Sequence, residues 1–342
     1  MKHINKNNYK LTILVLLFIA TLGGVNETFA QQDSQYTNYM YNTINVNPAY
    51  AGSRGVASIF GMHRTQWVGL DGAPTTNVAS IHTPVNNSNI GIGVSFINDR
   101  IGPSDENTIS ADVSYTFRTS ETYKLSFGIK GTANLLNVDY NKLNKYNGSD
   151  SQFQTNIDNR FSPNVGAGAY FHSDKLYAGL SVPNFLQTEH YNDNKSVTAK
   201  ERMHYYLIGG YVFDLSPTIQ FKPAFLSKVV NGAPLQLDLT GNFMFNEKFV
   251  LGAAWRWSAA VSGLAGFQVN ENWMIGYAYD AETTKLANYN SGSHEIFLRY
   301  EFKGKSEKVV SPRFFLYIND ENTKNNYSCI FSKNFFSKCT RN

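Results

Sequence analysis

The stretch from residue 235 to 245 reads Leu-Gln-Leu-Asp-Leu-Thr-Gly-Asn-Phe-Met-Phe, with apolar side chains at 235, 237, 239, 243 and 245 and polar ones at 236, 238, 240 and 242. This alternation has period two, and a strand turns successive side chains to opposite faces, so one face is oily and the other carries Asp238 and Asn242. The pattern recurs along the chain. Ile90, Ile92, Val94 and Phe96 alternate with Gly91, Gly93 and Ser95, and Ile109, Ala111, Val113, Tyr115 and Phe117 alternate with Ser110, Asp112, Ser114 and Thr116. The spacing predicts fourteen strands, at 55–64, 75–84, 90–99, 108–118, 123–138, 162–172, 176–183, 203–213, 218–230, 234–245, 249–257, 260–269, 273–280 and 293–302.

The oily face could meet a soluble core, as in a sandwich or propeller, or lipid. Lipid is favoured. The gaps after even-numbered strands are all short and hold turn-formers such as Asn86 and Ser216-Pro217, whereas those after odd-numbered strands include the longer stretches 65–74, 100–107, 139–161, 184–202 and 281–292. Tight turns at one end and extended loops at the other are the asymmetry of outer-membrane barrels. Asp112, Lys130, Asp238, Arg256 and Arg299 fall on the minority polar face, as residues lining a lumen would. Tyr115, Phe117, Trp255, Trp257, Trp273, Tyr300 and Phe302 fall near strand ends on the other face, where interfacial girdles form. The fold class expected is therefore all-β: a transmembrane antiparallel barrel of about fourteen strands. An even count brings both termini to the periplasmic side.

An export route is also written in the chain. Lys2, Lys6 and Lys10 precede an apolar run over 11–22, and Thr28-Phe29-Ala30 offers small residues for cleavage, so residues 1–30 read as a signal peptide. Residues 31–54 then form a polar, tyrosine-rich lead-in to a barrel over 55–302. The formal charge of +4 sits in the two ends and residues 31–315 are neutral, which gives no electrostatic reason to expect nucleic acid. Both cysteines, Cys329 and Cys339, lie in the last fourteen residues, so the body owes nothing to disulfides.

Motifs for chemistry are wanting. Gly179-Leu180-Ser181-Val182-Pro183 lacks the second glycine of a nucleophile elbow, and the Gly91-x-Gly93 and Gly166-x-Gly168 pairs sit on strands rather than opening a helix. There they thin the inner face or allow bending. The seven histidines are scattered without ligand-like spacing. No enzyme, cofactor or metal site is expected.

The motifs have a likeness of their own. Gln35-Tyr36 through Tyr41-Asn42, Asn47-Pro48-Ala49-Tyr50-Ala51-Gly52-Ser53-Arg54, Arg64-x-Gln66-Trp67, Tyr177 through Asn184, Gly232 through Asp238, Gly276-Tyr277-Ala278-Tyr279-Asp280 and Gly292-Ser293-His294-Glu295 together resemble the PorP/SprF family of type IX secretion membrane proteins. The resemblance implies an outer-membrane barrel of a Gram-negative bacterium. It implies an accessory part in type IX secretion, partnered by other secretion or gliding proteins and by large surface adhesins, and no catalytic residues. Ser311-Pro312-Arg313-Phe314-Phe315 resembles the family's usual end, making 303–315 a family-like C-terminus. Residues 316–342 are then atypical, either a disordered periplasmic tail or a frameshifted end.

Tyr36, Tyr39, Tyr41, Asn47, Pro48 and Tyr50 are the candidate partner contacts, because aromatics dominate interface energetics. The tyrosines have a competing reading, as a plug for the barrel mouth or as anchors at the membrane interface. A passive porin or hydrophobic-compound transporter is the alternative function.

Overall fold

The computed structural model describes residues 35–86, 88–143, 156–186 and 202–302. The expected signal peptide, the end at 303–315, the tail with both cysteines, and segments 144–155 and 187–201 of two long loops lie outside the described residues.

Fifteen strand segments follow in order: β1 Ala57–Thr65, β2 Thr75–Pro84, β3 Ile90–Ile101, β4 Ser104–Arg118, β5 Lys124–Val138, β6 Ile157–His172, β7 Leu176–Val182, β8 His204–Tyr211, β9 Phe213–Ser216, β10 Ile219–Val230, β11 Gln236–Phe245, β12 Phe249–Arg256, β13 Ala260–Gln268, β14 Trp273–Glu282 and β15 Ser293–Phe302. β8 and β9 both pair with β10 and are two halves of one stave, interrupted at Val212. The wall therefore has fourteen antiparallel staves. It closes where β1 meets β15, with Ala57 opposite Phe302 and Thr65 opposite His294, so no sheet edge runs the height of the barrel.

The two faces are reversed relative to a water-soluble protein. On β4, Val113 is 46% exposed on the outer face while its neighbour Asp112 is 1% exposed inside. On β11, Leu239 and Phe243 point outward and Asp238, Thr240 and Asn242 inward. Each large apolar side chain is worth about 1.5–3 kcal/mol between water and an apolar medium, so a continuous belt of them is stable only in lipid. Among the described residues no helix is long and apolar enough to cross a membrane, and the crossing is made by strands.

Six turns at one end are short and the loops at the other include the long ones, as the spacing predicts. One boundary differs. Residues 100–107 read as a loop, yet β3 and β4 run on through them to a hairpin at Gly102-Pro103, where Gly102 takes a left-handed φ of 56°. With 15, 15 and 16 residues, β4, β5 and β6 exceed the ~9–11 a tilted crossing needs, and their excess rises on the order of 10 Å above the bilayer at the long-loop end.

Candidate functional site: the plugged lumen and its mouth

The segment ahead of β1 fills the barrel. From Gln35, whose amide bonds Gln236 at the long-loop end, the chain descends the lumen and emerges at the short-turn end, where Arg54 pairs with Glu301 before β1 begins. Three single turns of 3-10 helix, Tyr39–Tyr41, Thr43–Asn45 and Pro48–Tyr50, make the descent compact. The sequence dictates the last of them. Pro48 supplies a fixed φ at the first helical position, and the Asn47 side chain caps the turn by accepting from the Ala49 amide at 3.0 Å.

An irregular chain inside a barrel must find partners for its backbone, and the wall provides them. The Glu295 carboxylate accepts from the amides of Thr37 at 3.0 Å and Asn38 at 2.8 Å. Lys130 donates to the carbonyls of Ile44 at 3.1 Å and Asn45 at 3.2 Å. Ser181 donates to Val46 at 2.6 Å, Ser114 donates to Ala51 at 2.7 Å, and Gly52 donates to the His82 ring at 3.2 Å. Asn47 adds a side-chain bond to the Ala169 carbonyl at 3.0 Å.

Room for this chain comes from glycines on the inner face. A Cβ on Gly128 would lie 2.3 Å from the Ala49 nitrogen, and one on Gly91 would lie 2.2 Å from the Ala51 oxygen. The paired glycines of β3 and β6 thus do more than thin the wall: Gly91, Gly93 and Gly168 all lie against the plug, although Gly166 faces Pro183 instead. Between these polar seats lies an apolar cluster. Tyr41 packs on Phe297 with ring centroids 4.7 Å apart, Tyr50 meets Tyr170 edge-on at 5.4 Å, and Met40 and Ile44 are fully buried.

Charges on the wall pair around the plug. Arg64 reaches Asp280 at 2.7 Å and Glu295 at 3.1 Å, Arg256 reaches Asp238 at 3.0 Å, Lys130 lies 3.4 Å from Asp112, and Arg299 lies 3.5 Å from Glu301. All five residues assigned to the lumen from sequence take part in these contacts.

The candidate contacts are placed differently from a periplasmic docking surface. Tyr39, Tyr41, Asn47, Pro48 and Tyr50 are buried inside the barrel, beyond a partner's reach, and Tyr36 is half-buried at the long-loop mouth. Tyr39, Tyr41 and Tyr50 lie within the plug, and Tyr36 lines the mouth above it. Both chain termini lie outside the described residues; within them, Gln35 lies at the long-loop end and Phe302 at the short-turn end. An even stave count fixes only where β1 starts and β15 stops, and the lead-in folds back because its hydrogen-bond partners line the lumen. Sequence reasoning missed Arg54, Arg64, Asp280, Glu295 and Glu301. Their signal was present, since Arg64, Asp280 and Glu295 sit in motifs quoted for the family and meet in one ion cluster.

Above the plug, at the long-loop end, a cavity of about 530 Å³ remains, lined among others by Tyr36, Gln66, Trp67, Asn134, Gln236 and Glu282. Trp67 donates its ring N–H to Glu282 at 3.2 Å. Among the described residues no group of three or more His, Cys, Asp or Glu is placed to hold a metal ion.

A closed antiparallel barrel with an oily exterior, a charged interior and its own segment in the lumen defines an outer-membrane barrel protein of the plugged kind. Residues 28–300 match the family described as type IX secretion system membrane protein PorP/SprF, and the chain belongs to that family. It is accordingly a type IX secretion component of the Gram-negative outer membrane.

Among solved structures, the CymD monoaromatic hydrocarbon channel is 11% identical, covering 83% of this chain and 97% of its own, with a TM-score of 0.46. CdiB from Acinetobacter baumannii is 7% identical over 72% of this chain and 60% of its own, at a TM-score of 0.42. The KdgM porin is 10% identical over 72% and 99%, at 0.35. No curated protein matches the chain significantly.

Proposed function

We propose that this protein works by contact rather than by conduction or catalysis, as an anchor of the type IX machine that supports export or surface attachment of large adhesins and, through them, gliding motility. In this reading the short turns face the periplasmic machinery, the long loops and the mouth face the adhesin, and outer-membrane lipid surrounds the belt. The observation that carries it is the filled lumen: residues 35–56 occupy the path a solute would take, and wall side chains hold them by the main chain. Deleting the gene and comparing secreted and surface-bound proteins with the parent tests the proposal. Loss of specific adhesins from the surface is expected, and an unchanged profile overturns it.

The cavity above the plug favours a second reading, a porin or hydrophobic-compound transporter whose lumen opens when a solute arrives. Planar-bilayer recording separates the two. A silent barrel fits the anchor, and a steady open pore fits transport.

A further inference from the structure

The wall holds the plug at several points through its backbone atoms, and this has a chemical meaning beyond sealing. Lys130, Ser181, Ser114, Glu295 and His82 each address a carbonyl or amide of the segment, and those groups are common to every polypeptide. Gly91 on β3 and Gly128 on β5 let the plug backbone approach where any side chain would collide, and Gly168 on β6 and Gly179 on β7 make room for the Asn47 side chain. Side chains of the segment are read at other positions, among them Gln35 at Gln236, Thr37 at Asp280, Asn42 at Ser80, Asn47 at Ala169 and Arg54 at Glu301. Main-chain hydrogen bonds that give affinity, with a few side-chain pockets that give selectivity, are how proteins bind extended peptides.

We propose that the inner wall is a polypeptide-binding groove, occupied in cis by residues 35–55, which also binds that segment as a separate molecule. Its ligand class is an asparagine- and tyrosine-rich peptide with a tight turn at an Asn-Pro pair and a single charge, the cation of Arg54 near its end. Covalent continuity at Val56 raises the local concentration of the segment and is not what seats it. The groove has this property whichever secretion role the barrel serves.

Gly55 is exposed at the short-turn end, with nothing within 4 Å of where a side chain would start, so the join offers the place to cut. The full-length protein, carrying a protease site inserted between Gly55 and Val56, is cleaved in detergent and passed over a sizing column. A fluorescent synthetic peptide of residues 35–55 is then added in excess. The cut segment is expected to travel with the barrel and to exchange with the labelled peptide.

Lys130→Met in the same background removes the donor to two carbonyls. It should weaken the labelled peptide by about 10- to 100-fold, the usual worth of hydrogen bonds from a charged group. Should that variant fail to fold, judged by heat-modifiable migration, Ser181→Ala serves in its place with a loss of about fivefold. Departure of the cut segment with no uptake of labelled peptide overturns the proposal. So does undiminished affinity in a folded groove variant.

Discussion

Lys130, on β5, donates to the carbonyl of Ile44 across 3.1 Å and lies 3.4 Å from Asp112 on β4, so one wall cation joins the plug to a neighbouring stave. Removing a single partner of a buried ion pair leaves the other uncompensated, at a cost of about 3–5 kcal/mol. Lys130→Met should therefore lower the midpoint of urea unfolding and introduce intermittent conductance in planar bilayers. Asp112→Asn combined with Lys130→Met removes the stranded carboxylate and should recover much of the stability, while the conductance persists because the carbonyls of Ile44 and Asn45 stay undonated. A double variant no more stable than Lys130→Met would count against the pair.

A paired substitution on the same strand isolates the glycine bed. At Gly128 a side chain meets the plug backbone at 2.3–2.6 Å, whereas at Gly131 nothing lies within 4 Å. Overpacking against backbone typically costs about 1–3 kcal/mol. Gly128→Val should loosen the plug and expose residues 35–56 to limited proteolysis in detergent, with Gly131→Val matching the parent. Equal protease resistance in the two variants would show that the plug does not rest on this wall.

Most staves were legible because a lipid-facing wall forces period two on the strands that cross it, although 55–64, 75–84 and 203–213 alternate poorly in sequence. Pair partners were nearly legible too. Asp238 opposes Arg256 across a hairpin whose turn fixes the register, so counting outward from 246–248 would have matched them, whereas counting from 119–122 sets Asp112 against Ile129, one residue short of its partner Lys130, because Tyr123 belongs to the turn. The plug was not legible in the same way. Its segment has no period and almost no charge, and its partners are scattered over β1 to β15. The glycine pairs were visible, but their reason lies in a stretch remote in sequence, where Ala49 and Ala51 give no sign of needing them. The stretch 100–107 read as a loop where the chain makes a two-residue hairpin, because a long strand projecting above the bilayer keeps no alternation of oily and polar residues.

The lipid belt yields a sharp test of the reversed faces. Ile129 on β5 is 66% exposed and neighbours the inward-facing Lys130. An arginine on the lipid face near the bilayer midplane costs about 2–4 kcal/mol, falling to ~0–1 near the interfaces. Ile129→Arg should thus reduce the amount of barrel assembled in the outer membrane, scored by heat-modifiable migration of membrane fractions. Glu121→Arg, in an exposed short turn, should leave assembly at the parental level. If Ile129→Arg assembled normally, that face would have to lie against water.

Asn47 supports the plug in two directions at once. Its oxygen caps the turn at Ala49 and its amide nitrogen reaches the Ala169 carbonyl on β6, both at 3.0 Å. Loss of a cap costs about 0.5–2 kcal/mol, and a buried carbonyl left without its donor adds about 1–3 kcal/mol. Asn47→Ala should therefore lower the unfolding midpoint measurably. Asn47→Asp separates the two contributions: the cap is kept, but the donor becomes a carboxylate oxygen facing the carbonyl of Ala169. Desolvating that charge is expensive, so the aspartate variant should be less stable than the alanine variant at pH 7 and regain stability as acidic solution protonates the carboxyl. The sign follows from the buried carboxylate's raised folded-state pKa, which favours the folded state as pH falls. Urea midpoints for both variants at pH 7 and pH 5 measure it, and an aspartate variant that is the more stable at pH 7 would show that the side chain is solvated rather than seated in the wall.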